Sequence, residues 1–160
     1  MQTRIAYGKV AHEGIKTMAA LEQYLRTCGL DKSLLDLVML RASQINGCAV
    51  CMDAHWKELR AAGENEQRLY SLDAWRESPH YTEREQAALA WAEAVTRITE
   101  GHAPDEVYEQ ARRQFDEKEL VDLTLAIVSI NGWNRVNIAF RNVPRTYQPS
   151  AGQAVNKNSA

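Results

Sequence analysis

The sequence lacks several features that mark particular classes of protein. No apolar run approaches the roughly 18 residues that a membrane-spanning helix needs. The amino terminus has no apolar core of signal-peptide length. The formal net charge is only -2, so no basic surface points to nucleic acid or to an anionic membrane. These absences predict a cytoplasmic protein with no nucleic-acid or membrane partner.

Cysteine is scarce as well, which argues against a fold stabilised by several disulfides. The chain has three cysteines, an odd number that does not fit the disulfide framework of a small secreted domain. Two of them, Cys48 and Cys51, are separated by two residues. In a reducing compartment such a pair is more often catalytic or metal-binding than structural. The third, Cys28, ends an apolar helical pattern and is predicted to be a core residue.

Sustained alternation of apolar and polar residues, which marks half-buried strands, is also missing. Apolar residues recur instead at helical spacing, between clear start and stop signals. Asp31 can cap a helix over residues 34–45 that is apolar on more than one face and ends at Asn46-Gly47. Thr82 and Glu85 fit a capping box before an alanine-rich segment. The sequence therefore predicts an all-α fold.

The length of 160 residues is enough for one domain with a proper core. We predict a single helical domain over residues 1–143, beginning with a partly ordered arm over residues 1–14. Residues 144–160 contain two prolines beyond the helical pattern, followed by Ser, Gly, Asn and Lys. This composition predicts a disordered tail.

One pattern occurs twice. Residues 37–47 read LVMLRASQING and residues 123–132 read LTLAIVSING. Because Asn-Gly interrupts helices, we predict that both helices stop there and that each is followed by another helical segment, which gives a duplicated helix pair. Only the first copy carries thiols; the second has Trp133 and Val136 at the matching places. The alternative is that two unrelated buried helices share a stop signal.

The reactive residues are concentrated in residues 48–55, which read CAVCMDAH. Because Asn46-Gly47 precedes it, Cys48 is predicted at a helix start, where unpaired N–H groups stabilise a thiolate. Residues three apart on a helix are neighbours, so Cys48 and Cys51 can cycle between dithiol and disulfide without refolding. His55 is four residues beyond Cys51, on the same face, and can take the thiol proton.

A histidine that acts as a base usually needs an orienting group, and Asp36 is the candidate. If the helices on either side of Gly47 pack antiparallel, Asp36 and His55 lie at similar heights and can interact directly or through one water. A carboxylate in a segment rich in Leu and Val needs such a partner. The alternative is that Asp36 lies on an exposed stripe near the helix start, where an acid is favoured.

Other readings of the same residues stay open at this point. Cys48, Cys51 and His55 could supply three zinc ligands, but a structural zinc site wants a fourth. The remaining cysteine and histidines have no metal-motif spacing: Cys28, His12, His80 and His102. A further alternative is that Cys48 and Cys51 are two inert buried cysteines.

These residues resemble the pattern of the AhpD-like alkylhydroperoxidases, within the carboxymuconolactone decarboxylase superfamily. That pattern is an acid, eleven residues, then Cys-x-x-Cys-x-x-x-His; here it is Asp36, eleven residues, Cys48, Cys51 and His55. The segment LRASQINGCAVCMDAH is similar to the small AhpD-like proteins, and the helical pattern agrees to about Val143. The resemblance implies an AhpD-like helical fold, usually assembled as trimers or hexamers.

The resemblance also implies an activity, which is reduction of hydrogen peroxide or organic hydroperoxides. Cys51 would be the attacking (peroxidatic) thiol, Cys48 its resolving partner, and His55 a general base in a proton relay with Asp36. No cofactor or metal is implied; the reductant would be an external dithiol on a lipoyl or thioredoxin-like protein. Asp36 is one methylene shorter than the usual family Glu, which favours a water bridge to His55. Val50 stands where some members have a histidine, so we expect weak to moderate activity.

Two other activities compete with peroxide reduction. The same dithiol could serve a non-peroxidatic redox sensor or a disulfide-exchange protein. The superfamily name also suggests a decarboxylase, but decarboxylation does not need a dithiol.

Overall fold

The structure is a computed structural model that describes residues 2–144 and 147–149. Within these ranges the chain is helical and has no strand, so the predicted all-α class is confirmed. The predicted tail falls mostly outside the described residues, and its disorder stays a prediction. No helix in the described part of the chain is long and apolar enough to cross a membrane.

The described α-helices follow one another through short connections. They are α1 (Tyr7–Val10), α2 (His12–Leu25), α3 (Lys32–Asn46), α4 (Ala49–Ala61), α5 (Glu66–Tyr70), α6 (Glu83–Thr96), α7 (Asp105–Arg112) and α8 (Glu117–Ala139). Short 3₁₀ helices cover Leu72–Glu77 and Ile98–Glu100.

The central helix is α3, which packs against α4, α6 and α8. Its residues from Leu34 to Ser43 are all buried, as expected of a helix that is apolar on several faces. One side, with Val38 and Ala42, belongs to a core shared with α6 and α8. The other side, with Leu37 and Leu40, belongs to a second cluster. Because α3 is enclosed in this way, any polar residue on it needs a partner from a neighbouring helix.

The helix starts agree with the capping signals in the sequence. Asp31 accepts a hydrogen bond from the Leu34 N–H at 3.0 Å and caps α3. Thr82 forms a capping box with Glu85 at the start of α6. Asp116 forms another at the start of α8. Each of these side chains satisfies an N–H group that the first turn of a helix leaves without a partner.

The end of α3 places the cysteines. Gly47 has φ 70°, in the left-handed region that favours glycine. The Gly47 N–H donates to the Gln44 carbonyl and the Cys48 N–H to the Ser43 carbonyl, the paired bonds of a Schellman motif. The chain reverses within this motif, so Cys48 is already the N-cap of α4. The predicted helix start at Cys48 is confirmed.

The second Asn-Gly does not end a helix, so that prediction is wrong. The helix α8 continues from Glu117 to Ala139 without interruption. A Cβ on Gly132 would lie 3.2 Å from the Met18 Cε, which shows that α2 and α8 pack closely here. The Asn131 side chain donates back to the Ile127 carbonyl of its own helix. It also accepts from Asn46 at 2.9 Å, so the two matching segments, in α3 and α8, meet at their asparagines.

The amino-terminal arm is more structured than expected, because it packs on the carboxyl end of α8. The Arg4 N–H donates to the Phe140 carbonyl at 2.9 Å. The Arg4 guanidinium donates to the Ala139 carbonyl at 3.0 Å. The Tyr7 hydroxyl donates to the Asn137 Oδ1 at 2.9 Å. The two Arg4 bonds satisfy backbone carbonyls at the end of α8 that lack partners within the helix.

Candidate functional site

Cys48 and Cys51 form a disulfide across the first turn of α4. Their Cα atoms are 5.4 Å apart, inside the usual range for a disulfide. Both residues are buried, with exposed fractions of 1% and 5%. Both residues lie at the amino-terminal end of α4, where the partial positive charge of the helix favours a thiolate when the bond is reduced.

His55 contacts Asp36 directly. The His55 Nδ1 lies 3.1 Å from the Asp36 Oδ1. The expected water bridge is therefore wrong, because α3 and α4 pack closely enough for the shorter Asp side chain to reach the ring. The alternative of an exposed stripe is also wrong, since Asp36 is buried in the tertiary structure. No hydrogen bond joins the His55 ring to either sulfur in the part of the chain that the structure describes.

A chain of charged groups continues outward from Asp36. The Lys32 ammonium donates to the other oxygen of Asp36 at 2.6 Å and to Glu58 at 2.8 Å. Glu58 in turn accepts a hydrogen bond from the Tyr147 hydroxyl. Burial and this bond to Glu58 raise the pKa of Tyr147 to about 12, so the hydroxyl keeps its proton and acts as a donor at neutral pH.

The balance of forces on Asp36 favours its charged form. Burial opposes ionisation, but the hydrogen bonds and charges of His55 and Lys32 outweigh it and hold the pKa of Asp36 below its usual value. An ionised Asp36 accepts a hydrogen bond from the His55 ring and therefore favours the tautomer with its proton on Nδ1. In the neutral ring, the Nε2 is then left as an acceptor, which is the form that a general base needs.

His55 and Asp36 lie in the wall of a cavity of about 470 Å³. Its apolar lining comes from α2, α3, the segment between them and α4: Leu25, Leu30, Leu35, Met39 and Ala54. Its polar lining includes Glu22, Arg26 and Glu58 besides the dyad. Neither cysteine belongs to the lining, so the oxidised sulfurs lie behind the cavity wall. A volume of this size can take a small organic molecule as well as water.

Glu22, on α2, is an acid that the sequence did not single out. Burial raises the pKa of Glu22 above its usual value, against the opposing charges of His55 and Arg26. Its place in the cavity wall depends on how α2 packs across α3, and no motif in the sequence records that packing.

Asn137, on α8, is the second residue that was missed. Its side-chain Nδ2 lies 3.4 Å from the Cys51 Sγ. A signal for it does exist in the sequence. Asn131, Asn134 and Asn137 recur every three residues in an otherwise apolar helix, and such spacing puts polar groups on one face. A polar face on a buried helix indicates partners on a neighbouring element.

The other singled-out residues lie elsewhere. Cys28 is partly buried, packs against the core and donates through its Sγ to the Leu25 carbonyl. Arg41, a buried charge on α3, pairs with the buried Glu93 at 2.8 Å and also with Asp73. His12, His80 and His102 are exposed. Among the described residues, no three His, Cys, Asp or Glu side chains converge as a metal site.

Comparison with known proteins assigns the chain to a family. Residues 13–94 match the model of the carboxymuconolactone decarboxylase family. The uncharacterised protein YdfG of Bacillus subtilis is 42% identical over 142 residues, which are 89% of this chain and 97% of YdfG. The alkyl hydroperoxide reductase AhpD of Bradyrhizobium diazoefficiens is 51% identical over 41 residues, 26% of this chain and 22% of that protein.

A solved structure from Agrobacterium tumefaciens has the same fold with a TM-score of 0.88 and 46% sequence identity. The match covers 91% of this chain and all of that one, a protein of unknown function named as a proposed antioxidant defence protein AhpD. The family match, the relatives and the site geometry agree with the resemblance inferred from Asp36, Cys48, Cys51 and His55. The chain belongs to the carboxymuconolactone decarboxylase family, in its AhpD-like branch.

Proposed function

We propose that the protein is a thiol-dependent peroxidase that reduces hydrogen peroxide or organic hydroperoxides through a Cys48–Cys51 dithiol/disulfide cycle, in antioxidant defence. The main support is one arrangement: a disulfide pair at a helix start and, one turn further along α4, a histidine held by a buried carboxylate. The AhpD relatives support the same activity.

Cys51 is the proposed attacking thiol. His55 takes its proton through Nε2, and the thiolate attacks one peroxide oxygen. The O–O bond breaks, one oxygen stays on sulfur as a sulfenic acid, and the other leaves as alcohol or water after taking a proton from His55. Asp36 keeps the histidine oriented and balances its charge while it carries the proton.

Cys48 is the proposed resolving thiol. Its sulfur attacks the Cys51 sulfenic acid, the S–O bond breaks, water leaves, and the disulfide forms. An external dithiol, on a lipoyl or thioredoxin-like protein, then reduces the disulfide by two exchange steps. These steps use no metal or organic cofactor. We place the protein in the reducing cytoplasm, as a homo-oligomer.

The test is peroxide consumption with dihydrolipoamide as the dithiol donor, using hydrogen peroxide and cumene hydroperoxide. Cys51→Ser is expected to abolish turnover and Cys48→Ser to prevent disulfide formation. His55→Ala is expected to lower the rate about a hundredfold or more, the usual contribution of a general base. Cys28→Ser is the matched control and should keep the wild-type rate, because the Cys28 thiol donates to the Leu25 carbonyl and contacts neither member of the disulfide.

Two results would overturn the proposal. Turnover that survives in Cys51→Ser would show that the reaction does not use this thiol. A wild-type dithiol that oxidises once, with no further peroxide consumption in excess donor, would favour the redox-sensor or disulfide-exchange alternative.

A further inference from the structure

Asn137 is a buried amide for which the proposed cycle has no role. It lies near the end of α8 and is 6% exposed. Its Nδ2 donates to the Cys51 Sγ over 3.4 Å, a hydrogen-bonding distance because sulfur is a larger acceptor than oxygen. Within residues 2–144 and 147–149, the Cys48 sulfur receives no such donor. The amide therefore distinguishes the two sulfurs of the disulfide.

The amide is held in one orientation by its own oxygen. The Asn137 Oδ1 accepts from the Tyr7 hydroxyl at 2.9 Å and from the Asn142 Nδ2 at 2.9 Å. A side-chain amide has its acceptor at one end and its donors at the other. With two donors at the oxygen end, the NH₂ end faces the sulfur. Tyr7 comes from α1 and Asn142 follows α8, so both ends of the domain hold this group in place.

A donor in this position acts mainly on charged sulfur. An N–H group stabilises an anionic acceptor about twice as strongly as a neutral one. Both sulfurs are buried, so water contributes little to the stability of a thiolate there. The start of α4 favours negative charge on either cysteine, whereas the amide favours it on Cys51 alone.

We propose that Asn137 is a catalytic residue that donates its N–H to the Cys51 thiolate, and that Tyr7 and Asn142 are positioning residues that aim it. The inference rests on the proposed thiol chemistry at Cys51 and extends it, because it names what makes the two cysteines unequal. In the reductive step, an external thiolate attacks the Cys48 sulfur. The S–S bond then breaks with its electron pair on Cys51, and the amide N–H stabilises that leaving thiolate.

The titratable groups around Cys51 are kept constant in the test. Its own helix carries Cys48 and His55, α3 carries Asp36, which bonds to the His55 ring, and α2 carries Glu22, which lines the cavity beside His55 and Asp36. The Asn137 side chain is uncharged, so its replacement by an uncharged residue changes the hydrogen bond to sulfur without adding or removing a charge.

The experiment measures the Cys51 thiol pKa in reduced protein, from the pH dependence of iodoacetamide alkylation read at Cys51 by mass spectrometry. Asn137→Leu keeps the branched shape and removes the donor. It is expected to raise the pKa of Cys51 by about one, so that at pH values below this pKa the thiolate fraction and the alkylation rate fall about tenfold. Asn134→Leu is the matched control: Asn134 is buried on the same helix but bonds to Ser43 and Asn46. It should leave the pKa of Cys51 unchanged.

A second variant covers the case in which Asn137→Leu does not fold. Tyr7→Phe with Asn142→Ala leaves Asn137 in place but removes both donors that aim it, and should raise the same pKa by a smaller amount. An unchanged Cys51 pKa in either folded variant overturns the proposal, as does an equal rise in Asn134→Leu. The measurement needs no peroxide, so a failure of the peroxidase proposal would be seen separately in the turnover assay.

Discussion

Asp36 can be buried and charged at the same time because two neighbouring side chains form hydrogen bonds with its carboxylate. His55 bonds to one oxygen and Lys32 to the other, and together they outweigh the cost of burial. A carboxyl whose pKa is lowered in the folded state adds stability above its unfolded pKa. That stability is lost as the pH falls through the lowered pKa. Asp36, which orients the proposed base, thus also makes the stability of the fold decrease at acidic pH.

Asp36→Asn tests both roles. The amide keeps the size of the side chain but not its charge, so His55 loses the anion that balances a proton on its ring. We expect peroxide turnover to fall about tenfold to a hundredfold, within the contribution of general acid–base catalysis. In denaturant titrations across pH, the loss of stability on acidification should be shallower than in wild type.

The control for Asp36→Asn is Asp53→Asn. Asp53 lies on α4 and pairs with Lys57 at 2.9 Å, a partly exposed pair that should contribute little. Its loss should leave turnover and the acid dependence of stability unchanged. Wild-type turnover in Asp36→Asn would remove Asp36 from the proposed relay.

At the scale of helices, two Asn-Gly sequences have opposite outcomes. Gly47 takes a left-handed φ and ends α3, whereas Gly132 stays within α8. Apart from Gly47 itself and its two chain neighbours, no atom lies within 4 Å of a Cβ added at Gly47, so only its backbone conformation calls for glycine. At Gly132 the nearest obstacle is the flexible end of Met18 at 3.2 Å.

Replacement of each glycine by alanine separates these two requirements. Gly47→Ala should lower the free energy of unfolding by about 1 kcal/mol, because alanine is strained in the left-handed region. Gly132→Ala gains up to about 1 kcal/mol of helix propensity, offset by the shift of Met18. It should therefore cost less than Gly47→Ala in urea denaturation. A larger cost at Gly132 than at Gly47 would contradict an uninterrupted α8.

The sequence predicted the helix starts and stops that are set by neighbouring residues, and it missed the features that depend on how the helices pack together. Asp31, Thr82 and Gly47 act within a few residues of themselves, so their capping and stop signals could be read directly. Gly132 shows the limit, since an Asn-Gly that ends one helix continues another where α2 must approach closely. Of a direct Asp36–His55 contact and a water bridge, the sequence favoured the bridge wrongly for the same reason, because the separation of α3 from α4 is a property of the packed core.

At the scale of the whole molecule, α8 presents an apolar stripe that the described chain does not cover. Val121 and Val128 are seven residues apart on one face and are 58% and 53% exposed. Leu125 lies between them on the same face and is only partly buried. Large apolar side chains grouped on one helix face are typical of subunit interfaces. This stripe is the surface that we expect to be buried in the proposed homo-oligomer, a trimer or hexamer.

Val128→Glu tests this expectation by light scattering coupled to size-exclusion chromatography. A carboxylate in a closed interface would be buried without a partner, so the variant should elute as a smaller species than wild type. Tyr70→Glu is the matched control, because Tyr70 is 69% exposed on α5, away from the stripe. It should keep the wild-type mass. A monomeric wild type, or an unchanged mass in Val128→Glu, would show that this face of α8 holds no second copy.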